Sequence, residues 1–223
     1  GLLSYYVSSM LDFMGLQYIS AGLERLILYV YPTLVLLILA FVKHQKISST
    51  EKLALAIAYS GMLLVFIHDI NFSNSWQTTS LGSGLVLLST ISFAIFIVLA
   101  GDIIPRVGSL RFTAYGMLAA CTGVITHNIV VEGIESIHQP MPVYGLAFAL
   151  AVFCTVIPSF LMNEGIRIIG SGRAAILGVF GPVVTLFLGA LVLNETISAI
   201  QLLGAALVIG GVILASRKKN TNP

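Results

Sequence analysis

The chain has 223 residues, of which 57% are hydrophobic and 9% charged, with a mean hydropathy of +1.01. A soluble domain of this length needs a far more polar surface, so the composition excludes one and points to a polytopic membrane protein. The net charge is only +2, and the basic residues are scattered over loops, which argues against a nucleic-acid partner.

A membrane-spanning helix needs about twenty mostly apolar residues. In chain order such runs cover Gly1–Ile19, Leu23–Val42, Leu53–Ile67, Leu81–Ala100, Phe112–Val131, Val143–Asn163, Ala174–Leu193 and Ile200–Ser216. Only Ser20-Ala21-Gly22 separates the first two, which predicts a tight helical hairpin. Residues 69–80, DINFSNSWQTTS, form the one long polar linker, and Trp76 within it suits a membrane interface. Cys121 and Cys154 lie inside apolar runs and read as small core residues, with neither disulfide nor metal-ligand spacing. No basic head and small-residue cleavage site precede the first run, and the chain opens on Gly1 rather than methionine, so the natural N-terminus is expected upstream.

Eight crossings place alternate loops on opposite sides. One side then collects Lys43, Lys46, Lys52, Arg106, Arg111, Arg167, Arg173 and the Arg217-Lys218-Lys219 tail, and the other holds only Arg25. By the positive-inside rule the first side, with the C-terminus, is cytoplasmic.

The chain also repeats itself. With Pro32 laid over Pro182, an ungapped offset of 150 residues aligns Gly15 with Gly165, Gly22 with Gly172, Leu36 with Leu186, Ala40 with Ala190, Ile47-Ser48 with Ile197-Ser198, and Gly61 with Gly211. A single register over about fifty residues is an internal repeat. The two proline helices lie five crossings apart and so run in opposite directions. The expected fold is therefore all-α and polytopic, with eight transmembrane helices and an inverted-topology repeat, the architecture that suits alternating access about a midplane site.

The segments GLQYISAGLERLILYVYPT and ALVLNETISAIQLLGAALVIGGVIL resemble the drug/metabolite transporter superfamily, specifically its EamA-type members. The resemblance covers essentially the whole chain. It implies two EamA repeats of five helices each, a proline in the fourth helix of each, and a polar-acid loop such as Asn194-Glu195 before the last. Residues 81–217 match a complete second repeat and residues 1–68 the last three helices of a first, with 69–80 as linker. Two further spans are thus implied upstream. The resemblance also implies membrane lipid and a small-molecule substrate as partners, both termini in the cytoplasm, and a location in the bacterial inner membrane. Gly181 stands where many members carry glutamate, and His44-Gln45 where the second repeat has Asn194-Glu195.

The polar groups inside the spans are the candidates for chemistry. Asp12 lies about 12 Å from the hairpin turn at 1.5 Å per residue, and an ionisable group at such depth is a functional hypothesis by default. It either hydrogen-bonds across the hairpin, with Tyr29 as the expected partner, or takes up and releases a proton. Pro32 and Pro182 each free a backbone carbonyl in mid-helix, which in a membrane needs a partner or a wet cavity. Tyr31, Gly178 and Asn163 are the further expected cavity residues. Glu24 and Arg25 read as dipole and snorkelling residues at the outer edge. Glu164 and Arg167, three apart, read as a facing pair at the cytoplasmic edge. Ala56 with Ser60, and Ala206 with Gly210, form small-residue faces for close helix packing, within the molecule or in a homodimer. No zinc-protease motif, P-loop or dinucleotide fingerprint occurs, and Gly82-Ser83-Gly84 has no histidine at matching depth; neither metal nor cofactor is expected. Three readings follow. One is a secondary transporter of a small metabolite or drug. The second is a membrane scaffold or a truncated, inactive chain, and the third, without a residue constellation behind it, is a membrane enzyme.

Overall fold

The computed structural model describes residues 1–19, 21–66, 76–181, 183–184, 188, 191 and 199–216. Pro182, residues 69–75 of the linker, the Asn194-Glu195 loop and the basic tail lie outside them. Among the described residues there is no strand, as the composition requires.

Helix α1 has a π-wound half, Leu2–Ser8, and an α-wound half, Ser9–Leu16. Then follow α2 (Ala21–Leu28), α3 (Tyr31–Val42), α4 (Ser49–Phe66), α5 (Trp76–Val107) and α6 (Ser109–Glu132). Helix α7 (Met141–Ile169) passes through a π-wound stretch, Leu150–Val156. Helix α8 covers Ser171–Gly178 and α9 Ala199–Ser216. Helices α5, α6 and α7 are each long and apolar enough to cross a membrane, and Tyr31–Val42 and Leu202–Leu214 are shorter apolar helices. Helix α5 begins at Trp76, so the last five residues of the polar segment are helical rather than linker.

Single-residue joints turn the chain at one end. Gly108 (φ 84°) connects α5 to α6, and Gly170 (φ 82°) connects α7 to α8. An L side chain rarely adopts this region, and glycine enters it at no steric cost.

Each proline segment is interrupted in the same way. In the first, α2 ends at Leu28 and α3 starts at Tyr31. At the break Val30 N–H donates to Ile27, and both Thr33 and Leu34 N–H donate to the Val30 carbonyl. In the second, Phe180 donates to Leu177, and Val183 and Val184 to Phe180. These three bonds correspond residue for residue at the 150 offset. The cause is the missing N–H of proline, which stops the α ladder one turn earlier. In the first break, the Tyr59 hydroxyl of α4 lies 2.6 Å from Thr33 Oγ1 and 3.3 Å from its N–H, and so supplies polar contact that the ladder lacks.

Helices α4 and α9 pack along their length. The touching stripe is Ala54, Leu55, Ala58, Gly61 and Met62 on α4, against Gly204, Ala205, Val208 and Gly211 on α9. The contacts are reciprocal. A Cβ at Gly61 would strike Gly204 and Val208, and one at Gly211 would strike Ala54 and Ala58, the equivalents at the 150 offset. The expected small-residue faces are therefore displaced: Ala56, Ser60, Ala206 and Gly210 are all exposed, and nothing lies within 4 Å of a Cβ at Gly210. These helices carry small residues on more than one face, and spacing alone does not say which one the neighbour covers.

Helix α1 lies on α5 through a second close approach. Gly15 and Gly82 meet backbone to backbone. Ser8 Oγ donates to the Ser89 carbonyl and Ser89 Oγ donates to the Ser8 carbonyl, at 3.1 and 2.7 Å; Ser92 donates to Leu3 at 2.7 Å. Small residues let the backbones close, and the hydroxyls stitch them in a setting without water. Cys121 and Cys154 are both free and exposed, not buried in the core.

Candidate functional site

A cavity of about 580 Å³ lies between α1, α2, α3, α5 and α7. Its walls are built from interrupted helices. The π-wound half of α1 contributes Ser4, Tyr5 and Ser8, and the π-wound stretch of α7 contributes Cys154 and Thr155. Pro158 follows directly on the same wall. It has no N–H for the Cys154 carbonyl, and the chain relaxes by widening its winding just before it. Pro158 stands within an apolar run, so its missing N–H is readable from the sequence.

Toward the end that carries the basic loops, an aromatic chain forms the floor. Tyr31 meets Phe93 edge-on at 5.3 Å, Phe93 stacks on Phe96 at 6.3 Å, and Phe96 stacks on Phe112 of α6 at 5.7 Å. Beyond that floor two acids are ion-paired, while Asn163 Oδ1 is buried without a hydrogen-bond partner. Lys43 bonds Asp102. The Arg167 guanidinium grips Glu164 through Nε, at 3.0 and 2.9 Å to the two carboxylate oxygens, and through Nη2, and Ser109 donates to the same carboxylate. The facing pair expected at Glu164 and Arg167 is thus present.

At the opposite end of the cavity the polar groups are not so served. Helix α1 ends at Leu16, not Ile19, so Asp12 sits one turn from the helix end rather than two from the hairpin. From there its carboxyl lies close to that of Glu24, in the first turn of α2, on the same cavity wall. Glu24 is 8% exposed, and Asp12 Oδ1 is buried without a hydrogen-bond partner. Arg25, next in sequence and exposed, lines the same cavity but makes no ion pair with either carboxyl among the described residues.

The expected site residues divide as follows. Asp12, Tyr29 and Tyr31 all line the cavity. Asp12 faces Glu24, while the Tyr29 hydroxyl is turned to Gly181, where a Cβ would lie 2.5 Å from it. Tyr31 is buried and donates to the Ala175 carbonyl of α8 at 3.0 Å, passing directly over Gly178, where a Cβ would collide with its hydroxyl. Gly178 and Pro32 therefore shape the wall from behind. Asn163 is 1% exposed and donates to Thr113 of α6 at 2.9 Å, behind Met162, which is the residue that reaches the cavity. Pro182 lies outside the described residues. Glu24 was missed because its position in a first helical turn has a sufficient dipole explanation; only the early end of α1 brings Asp12 to it. Among the described residues no cluster of His, Cys, Asp and Glu has the makings of a metal site.

The cavity is thus walled by interrupted helices, hydroxyls, aromatic rings and two carboxyls. Residues 80–217 match the model of the EamA-like transporter family. The chain belongs to that family, of the drug/metabolite transporter superfamily. It is 36% identical to the uncharacterized transporter YcbK of Bacillus subtilis over 220 residues, covering 95% of this chain and 67% of YcbK. It is 23% identical over 202 residues to a Salmonella typhimurium protein named "Probable amino-acid metabolite efflux pump", covering 87% of this chain and 67% of that one. A crystal structure superposes with a TM-score of 0.77 at 17% identity, over 97% of this chain and 74% of the other, which bears on the fold alone. This EamA-type chain is an integral membrane protein with an all-helical fold.

Proposed function

We propose that this protein is a secondary transporter, not an enzyme, that moves a small organic solute across the bacterial cytoplasmic membrane by alternating access. The observation that carries the reading is the cavity itself. It has the size of a small-molecule site, it is bordered by a helix broken at a proline, and an aromatic floor with ion pairs beyond it lies at one end. The relatives named as transporters, and the one named as an efflux pump, point the same way.

Alternating access in this family fold asks for two inverted halves. The matching breaks at Val30 and Phe180 and the reciprocal contacts of Gly61 and Gly211 support that relation, because exchange of equivalent residues across one interface is what a two-fold axis produces. We assign residues 81–217 to one repeat and 1–68 to part of the other, with eight crossings in all. The gathering of Lys43, Lys46, Arg167 and Arg173 at the closed end supports a cytoplasmic assignment for that end and for the C-terminus. Asp12 is the proton-coupling residue of this scheme, protonated when shut from water and ionised when open to it.

Flux of a solute panel in proteoliposomes, with and without a proton gradient, tests this. Wild-type protein is expected to accumulate at least one solute against its gradient, and Asp12→Asn to insert and fold while losing that accumulation. Normal accumulation by Asp12→Asn removes the proton role. Absence of flux for every class of solute, in protein shown to be folded and inserted, defeats the transporter reading.

A further inference from the structure

Beyond the aromatic floor, among the basic loops, lies a second cavity of about 300 Å³, separate from the solute cavity. Helix α8 begins on its wall. Gly170, at φ 82° and ψ 159°, breaks the ladder of α7 and stands at the N-cap of α8 without a side chain to cap it. The first turn closes where Ala174 N–H donates to the Gly170 carbonyl. The N–H groups of Ser171, Gly172 and Arg173 therefore lead the helix with no intrahelical acceptor. The Ser171 side chain belongs to the same wall. The residue is only 8% exposed, yet its hydroxyl has no hydrogen-bond partner among the described residues. Gly101 of α5 keeps that hydroxyl clear, because a Cβ there would stand 2.8 Å from Ser171 Oγ. Buried hydroxyls normally have partners.

Two cations complete the wall. Arg173 is half-buried and Lys46, on the loop between α3 and α4, is exposed; neither forms an ion pair among the described residues. The two acids of the wall are already engaged, Asp102 with Lys43 and Glu51 with the Ser48 N–H at 2.9 Å. The uncommitted charge is thus positive, and the start of α8 adds the positive end of its dipole. We infer that this second cavity binds a phosphoryl group, held by the N–H groups that open α8, the Ser171 hydroxyl, the Arg173 guanidinium and the Lys46 ammonium. Helix starts of this kind take anions through their free N–H groups, and a guanidinium matches two phosphoryl oxygens at once. The group has acceptor oxygens enough for all four kinds of donor. Bound there, it links the α3–α4 loop to the start of α8. A free phosphate and the headgroup of an anionic phospholipid present the same chemistry. The inference uses no residue of the solute cavity and is independent of the transporter reading.

The test is equilibrium dialysis of the delipidated full chain, in a maltoside detergent, against radiolabelled inorganic phosphate at an ionic strength fixed with chloride. Wild type is expected to bind phosphate saturably at a single site and to melt higher when it does, since a ligand of the folded state stabilises it. Arg173→Gln is expected to weaken binding by about tenfold or more, the scale of a lost charge contact, with part of it restored in Arg173→Lys. Ser171→Ala is expected to weaken it by about tenfold, the scale of a hydrogen bond to a charged group. Lys46→Gln is expected to weaken it by about threefold, as befits an exposed charge; this loop variant keeps the test open if Arg173→Gln does not fold. Phosphatidylglycerol is then titrated into the micelles, with diacylglycerol as control. Displacement of phosphate by phosphatidylglycerol alone assigns the site to a lipid headgroup, and retention assigns it to a free phosphate; both uphold the phosphoryl site. The inference is overturned if wild type binds neither phosphate nor phosphatidylglycerol, if added chloride displaces the phosphate as well as phosphate itself does, or if Arg173→Gln and Lys46→Gln both bind as wild type. Phosphate binding in protein that moves no solute upholds it and defeats the transporter reading. Solute flux without phosphate or phosphatidylglycerol binding does the reverse.

Discussion

Two glutamates mark opposite ends of the molecule. Glu164 is solvent-accessible and held on both oxygens by Arg167, with Ser109 as a further donor. Glu24 is buried on a cavity wall, with the Asp12 carboxyl and the Arg25 charge beside it. The ordinary rule of protein interiors runs the other way, since burial demands partners and exposure does not. The contrast separates a group that holds the structure from one that the structure holds in readiness. At the closed end Glu164 and Asp102 have partners that tie α6 to α7 and α3 to α5. At the other end Asp12 Oδ1 is buried without a hydrogen-bond partner, at a standing cost in stability.

The largest expected effect comes from removing that readiness. Asp12→Asn with Glu24→Gln in one chain should reduce solute accumulation to about one-hundredth of wild type or less, the scale of losing a desolvated charge contact. The same double variant should melt no lower than wild type in the absence of solute, because the cost of burying two neighbouring acids is gone. A large fall in melting temperature would mean that the pair is structural, and the contrast with Glu164 would collapse.

Next in size is Tyr59→Phe, which probes a neutral polar group that does have partners. It strips the hydroxyl from the break at Thr33 and is expected to cost about 1–2 kcal/mol, the desolvation of a group left unsatisfied, read by thermal melting in detergent. Equal stability would show that water replaces the hydroxyl at the break.

Glu164→Gln and Ser109→Ala should then lower the melting temperature modestly, the first more than the second, with flux largely retained. That is the reverse of the cavity pattern, and loss of flux with unchanged melting would put Glu164 in the transport cycle. The smallest effect belongs to Lys43→Ala. Its pair with Asp102 is more than a third exposed on both sides, and such pairs are worth about 0–1 kcal/mol; a larger loss, seen only in flux, would mark it as a gate.

How much of this was legible before folding depends on which interaction is asked about. The solvent, the helical class and the repeat were legible, because each is a property of many residues at once. Backbone groups in lipid must be satisfied within a helix or barrel, and a matched register survives the loss of any one match. The facing of Glu164 and Arg167 was legible for a local reason: three residues along a helix is one neighbour position. The interruption at Pro32 was legible as chemistry, since no context returns the missing N–H.

Tertiary structure alone decided which of several acceptable faces and partners was used. Ala56 and Ser60 have as good a spacing as Ala54 and Ala58, and only the position of α9 chose between them. Asn163 and Gly178 sit at the right depth for the cavity, yet Met162 and Tyr31 stand in front of them, because depth is a distance along the chain and facing is a rotation about it. The same holds for Glu24. Its sequence position reads as an ordinary first-turn acid; the close contact of Gly15 with Gly82 and the end of α1 at Leu16 are what carry Asp12 across to it. Composition and periodicity are sums along one chain, whereas a binding site is a convergence of side chains from five helices, and the angles at which those helices cross are set by contacts between residues far apart in sequence.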